Sequence, residues 1–116
     1  MNTKISYTYK DGSGYSYLEE IVVEGVITFD DLEPFLSNDP GEPGFCPDDV
    51  GLPHPGRESG EGWPNDDDHC WVTLEVSDVE PATKIDRVTH GKAKDLLAKF
   101  KEAHAKNWPA QTSLPE

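Results

Sequence analysis

"KISYTYKDGSGYSYLEEIVVEGVI", residues 4–27, is the stretch whose reading decides the fold. Ile5, Tyr7 and Tyr9 alternate with Lys4, Ser6, Thr8 and Lys10. A period of two, carried by β-branched and aromatic side chains, marks a strand with one buried face. "DGSG" at 11–14 is turn chemistry, because glycine supplies the positive φ that tight turns need. The apolar β-branched run resumes after it, so residues 4–27 read as a β-hairpin whose second strand carries Glu19, Glu20 and Glu24.

Moving outward, "TFDDLEPFLSND" predicts a short helix over residues 28–37. Thr28 and Asp31 have capping-box spacing, with Asp in place of Glu, and acids in a first turn suit the helix dipole. Leu32, Phe35 and Leu36 form the apolar stripe, and Pro34 is compatible only with a helix that ends soon after it. Within residues 69–88, "CWVTLEV" reads as a third strand, with Cys70, Val72, Leu74 and Val76 on one face, and "TKIDRV" as a fourth. "THGKAKDLLAKFKEAHAKNW", residues 89–108, predicts a helix with Ala93, Leu96, Leu97, Phe100, Ala103 and His104 along one side. Asp95–Lys99 and Glu102–Lys106 are i,i+4 pairs in the favourable orientation. Pro109 stops this helix, and residues 109–116 read as a frayed tail. The expected architecture is one α+β domain over residues 1–116: a small antiparallel sheet of three or four strands, packed by a C-terminal amphipathic helix.

Between these parts the chain changes character. Of the 31 residues from Asn38 to Asp68, 12 are Gly or Pro. Phe45, Val50 and Leu52 are candidate anchors, and "CPDDV" fits one helical turn with Pro47 at its first position. The segment otherwise reads as a long acidic loop too poor in apolar residues to be a core element. Loops of this length are usually functional or disordered.

Charge is the strongest global signal. The net charge is −13, and it is uneven: residues 1–83 carry 19 acids against Lys4, Lys10 and Arg57, whereas residues 84–116 carry 7 bases against 4 acids. An acidic body repels nucleic acid and anionic membranes and attracts cations or basic proteins. Leu, Ile, Val and Phe fill only 24 positions, so the large burial of three Trp and four Tyr is needed to make a core. "MNTKISYTYK" has no apolar h-region and no stretch reaches the ~20 apolar residues of a membrane span, which predicts a cytoplasmic protein. In that setting Cys46 and Cys70 are expected as free thiols, although pairing them would contribute on the order of 3 kcal/mol.

"NDDDHCWVTL", residues 65–74, looks the most chemical. If a strand begins by His69, however, His69 and Cys70 point to opposite faces and cannot share a metal. Read as an EF-hand loop from Asn65, the run puts Cys70 where glycine belongs and Val76 where the terminal glutamate belongs. A zinc set such as Cys46, His54 and His69 lacks close-spaced ligand pairs. No nucleophile elbow, phosphate-cradling loop or H-E-x-x-H motif occurs, so no catalytic residue, metal or cofactor is assigned. Lys92, Lys99 and Lys106, with Lys94 and Lys101, recur every seven residues, as on a solvated helix face interleaved with acids.

These features lead to a non-enzymatic acidic binding protein that engages a basic surface of a protein partner and competes there with nucleic acid, with no direct contact to nucleic acid or membrane. The expected binding residues are Asp48, Asp49, Glu58, Glu61, Asp66, Asp67 and Asp68 around Trp63 as the anchor. By class of charge, such a protein resembles phage-type acidic anti-defence inhibitors and toxin-neutralising immunity proteins, an analogy that no motif carries. The alternatives are a metal- or small-ligand-binding domain built on residues 38–69, and a small enzyme or enzyme subunit.

Overall fold

The computed structural model describes residues 1–10, 16–38, 43–55 and 70–109. Strands β1 (Asn2–Lys10) and β2 (Ser16–Glu24) form the expected hairpin, antiparallel and in register from Asn2 opposite Glu24 to Lys10 opposite Ser16. The "DGSG" turn between them lies outside the described residues. Thr3, Ile5, Tyr7 and Tyr9 are buried, and Ile21 and Val23 of β2 bury the same face opposite Ile5 and Thr3. The Thr3 hydroxyl earns its place in the core by hydrogen bonding: it donates to the Gly25 carbonyl at 2.8 Å and accepts from the Ile27 amide at 3.2 Å.

Three short strands complete one α+β sheet: β3 (Gly44–Phe45), β4 (Val72–Thr73) and β5 (Val79–Pro81). The order is β2-β1-β4-β3, and β5 shares with β4 the second side of β1. Lys4 pairs with Glu80 of β5, and Thr8 pairs with Thr73 of β4. The third strand is therefore much shorter than expected. Cys70, Val72 and Leu74 do bury one face, but Val76 is 67 % exposed because the chain turns there into a 3-10 helix, Val76–Asp78. "TKIDRV" is no strand: it is an exposed turn in which Ile85 is 88 % accessible, and the ladder is made by Val79–Pro81 instead.

One local device explains both differences. The backbone amide of Glu75 donates to the Asp78 carboxylate at 2.8 Å, and that of Thr83 donates to Asp86 at 2.8 Å. An aspartate three residues on offers the backbone an acceptor that competes with a sheet ladder, and the chain turns. The same device starts helix α1 (Phe29–Leu32), where Thr28 and Asp31 form the expected capping box. Pro34 lies in the 3-10 turn Glu33–Phe35 that follows, so the helix is held to a single turn.

Helix α2 (Ala93–Ala105) buries Ala93, Leu96, Phe100 and Ala103, with Leu97 partly buried. His104, expected on the buried stripe, is exposed and stands edge-on to the Phe35 ring at 5.8 Å. All five lysines of the expected solvent face are exposed. Of the two expected ion pairs Glu102–Lys106 closes, at 2.8 Å. Asn107 takes a left-handed φ of 59°, its amide bonds to the His104 carbonyl, and the Trp108 amide reaches back to Ala103 at 2.9 Å. This is the Schellman arrangement, with Asn where glycine is commonest. It folds Trp108 back into the core, against Phe100 at 5.7 Å, Phe45 at 6.4 Å and Trp71 at 6.4 Å.

The expectation that residues 38–68 stand apart from the core is corrected over residues 43–55. Phe45, Cys46, Val50, Leu52 and His54 are all buried, and Phe45 packs against Tyr7 and Phe100 at 5.2 and 4.9 Å. "CPDDV" makes the expected single turn, a 3-10 helix from Pro47 to Val50 capped by Gly51 at a φ of 72°. Free thiols are corrected as well: Cys46 and Cys70 form a disulfide, with Cα atoms 5.2 Å apart. Pairing of β3 with β4 brings the two cysteines together, and sequence spacing gave no sign of it.

Candidate functional site

The acidic segment is built on a rigid base. Its near root, residues 43–55, is fastened by the Tyr7 hydroxyl, which donates to the Pro53 carbonyl, and by His54, whose ring stands edge-on to Tyr9 at 4.5 Å. Its far root is Cys70, buried and bonded to Cys46. Residues 46 and 70 are thus neighbours in space, with Cα atoms 5.2 Å apart.

Of the eight expected binding residues, Asp48 and Asp49 are described. Both sit on the 3-10 turn Pro47–Val50, where Asp48 is exposed and Asp49 partly so. Glu58, Glu61, Trp63, Asp66, Asp67 and Asp68 lie outside the described residues. The structure therefore places two of the eight side by side on a fixed turn, and the grouping of the rest about Trp63 stays an expectation.

The turn that carries Asp48 and Asp49 has cations close by. A cleft of about 290 Å³ separates Val50–Leu52 from the start of α2, and His90, Lys92, Asp95 and Lys99 line its far wall. A Cβ built on Gly51 would come within 3.3 Å of the Lys99 ammonium. The basic helix and the acidic turn of one chain therefore face each other across this cleft.

Other acids are engaged in structure. Asp31, Asp78 and Asp86 each accept a backbone amide three residues earlier. Asp86 also accepts from the Thr83 hydroxyl at 3.0 Å and lies 3.5 Å from the Lys4 ammonium. The backbone hydrogen bond from Thr83, then its hydroxyl and the Lys4 charge, hold the Asp86 carboxyl below its ordinary range. These groups stabilise turns.

The zinc set considered from sequence loses a member. Cys46 is in the disulfide, so it has no thiolate to offer, and His54 is packed on Tyr9. His69 lies outside the described residues. Among the described residues no three His, Cys, Asp or Glu side chains converge. No helix among them is long and apolar enough to cross a membrane.

One feature of the surface escaped sequence reasoning. Leu18 is 65 % exposed on the outer, polar face of β2, between Ser16 and Glu20 and opposite Thr8 of β1. Its signal was visible: in "SYLEE" the period of two that buries Tyr7 and Tyr9 puts a leucine on the polar face. Compared with known proteins, the chain matches no protein family, no curated protein and no solved structure.

Proposed function

We propose that this chain is a non-enzymatic acidic binding protein whose partner presents a basic protein surface, as an inhibitor that offers nucleic-acid-like charge would do. The observation that carries the reading is the charge of residues 1–83, 19 acids against three bases, joined to a long acidic segment with both roots fastened in the core. A closed, anchored segment loses less conformational entropy on binding than a free one, so such a design favours recognition over mere solubility. Rim charges of this kind act mainly on association rate and fade as salt screens them.

The test is an affinity pull-down from native lysate, eluted in salt steps, with and without nuclease, under both oxidising and reducing conditions because disulfides are rare in the cytosol. The expected result is a basic protein released by salt and retained after nuclease. Replacing Asp66, Asp67 and Asp68 together with Asn should weaken its capture without lowering stability, and Trp63→Ala should chiefly speed dissociation. A partner that binds both variants as tightly as the parent, at low and high salt, removes the acidic segment from the interface.

A further inference from the structure

Strand β2 has an edge, and half of it is already in use. In its ladder with β1 the even-numbered residues of β2 turn their N–H and C=O groups outward. Val22 shows this: its carbonyl accepts from the Thr89 and His90 amides at 2.8 and 3.1 Å, and its amide donates to the Thr89 hydroxyl at 2.9 Å. Two residues on, the Glu24 amide donates to the Gly91 carbonyl at 2.7 Å, and Glu24 and Lys92 form a parallel bridge. A stretch of the chain's own, "THGK", thus lies along this end of the edge and sets Lys92 beside Glu24.

Among the described residues no backbone group pairs with the outward N–H and C=O of Ser16, Leu18 and Glu20. The strand there is regular, without a proline or bulge, the devices that commonly blunt an edge. We propose that Ser16–Glu20 is a docking edge for an extended basic segment of a partner protein, which adds one strand to the sheet. This deepens the reading above and rests on it, since the basic character of the partner is taken from there.

The chemistry selects the occupant. Backbone hydrogen bonds along the edge provide affinity, and the side chains on the outer face provide selection. A residue laid beside Leu18 buries its exposed surface if it is apolar, and a lysine or arginine beside Glu20 forms a cross-strand pair of opposite charge. A second copy of this chain suits the edge less well, because two bodies of net charge −13 repel. The segment at 89–92 shows that another stretch of chain can hydrogen-bond to this edge one step along.

The test uses the full chain and a synthetic, end-blocked heptapeptide of alternating lysine and valine at millimolar concentration. Its control is the same peptide with alternate backbone nitrogens methylated, equal in charge but unable to complete a ladder. The parent peptide is expected to slow hydrogen exchange at the Leu18 and Glu20 amides by about tenfold, and Glu20→Lys to weaken its binding roughly fivefold. Equal binding of the methylated control, or shifts confined to the Asp48–Asp49 turn, overturns the docking edge and leaves the basic-partner reading standing. No binding of either peptide overturns both. A doubling of mass without peptide, with the same amides protected, gives the edge to a second copy and overturns the proposal.

Discussion

Removing the Cys46–Cys70 cross-link should cost this protein a large part of its stability. The bond closes a segment with a sequence separation of 24 residues. In the chain-entropy account a loop of that length restricts the unfolded state by about 3.5 kcal/mol at 25 °C. Against the 5–15 kcal/mol typical of a folded domain, this is a substantial share. At the unfolding entropy usual for a chain of this size it corresponds to a melting temperature lower by on the order of 14 °C. The assay is urea denaturation of the parent, with and without reductant, beside a Cys46→Ala/Cys70→Ala double variant. Both sulfurs belong to buried residues, so reduction in native buffer should be slow and should accelerate as urea opens the core. The reduced parent should also show a steeper denaturant dependence, because its unfolded chain exposes more surface. The double variant should be indifferent to reductant. Two titratable thiols in the air-oxidised protein, or reduced and oxidised forms within about 1 kcal/mol of each other, would refute the reasoning.

Other outcomes follow from single groups. Phe100→Ala should cost roughly 3–5 kcal/mol in the same denaturation assay, since its ring is 1 % exposed between Phe45 and Trp108; a loss below about 1 kcal/mol would mean that α2 does not pack on the sheet. Thr28→Ala removes the hydroxyl that accepts from the Asp31 amide and should cost about 1 kcal/mol, with Thr28→Ser largely restoring it. Asp86 should titrate below an ordinary aspartate in a carbon-detected NMR titration. Its depressed folded value means that it contributes stability above the unfolded pKa, lost as pH falls through the folded pKa, and Asp86→Asn should abolish that acid-side dependence.

The parts of the fold that were legible in the sequence are those set by local rules. The alternation in "KISYTYK" and the helical spacing of Leu96, Phe100 and Ala103 each fix an element without reference to the rest of the chain. Thr28 with Asp31, and Pro47 ahead of "DDV", were equally readable because caps and first-turn prolines act over three residues. What failed was non-local, or depended on competing local bonds. Cys46 and Cys70 meet because β3 and β4 pair, and nothing in their own neighbourhoods predicts that pairing. "TKIDRV" has strand composition, yet Thr83 and Asp86 close a turn inside it. The same i,i+3 pattern precedes an apolar helix stripe at Thr28, whereas no such stripe follows it at Glu75 and Thr83. As for the candidate surface, charge named it, but charge says nothing about backbone edges, where Leu18 is an apolar side chain on a polar face.

The indole of Trp108 has an optical consequence. It is enclosed by Phe45, Phe100 and Trp71 and 1 % exposed, and its N–H is buried without a hydrogen-bond partner among the described residues. Its emission should lie far to the blue and shift red only when α2 comes away from the sheet. The Trp71 ring, 6.4 Å away, is close enough for the two transitions to couple and give a paired near-ultraviolet circular dichroism band. Trp71 adjoins Cys70 and Trp108 ends the excursion of α2, so that band reports whether the cross-linked root and the helix are docked together. With Trp63 replaced by Phe, the chain becomes its own spectroscopic gauge of core assembly, and no attached dye is needed to follow it.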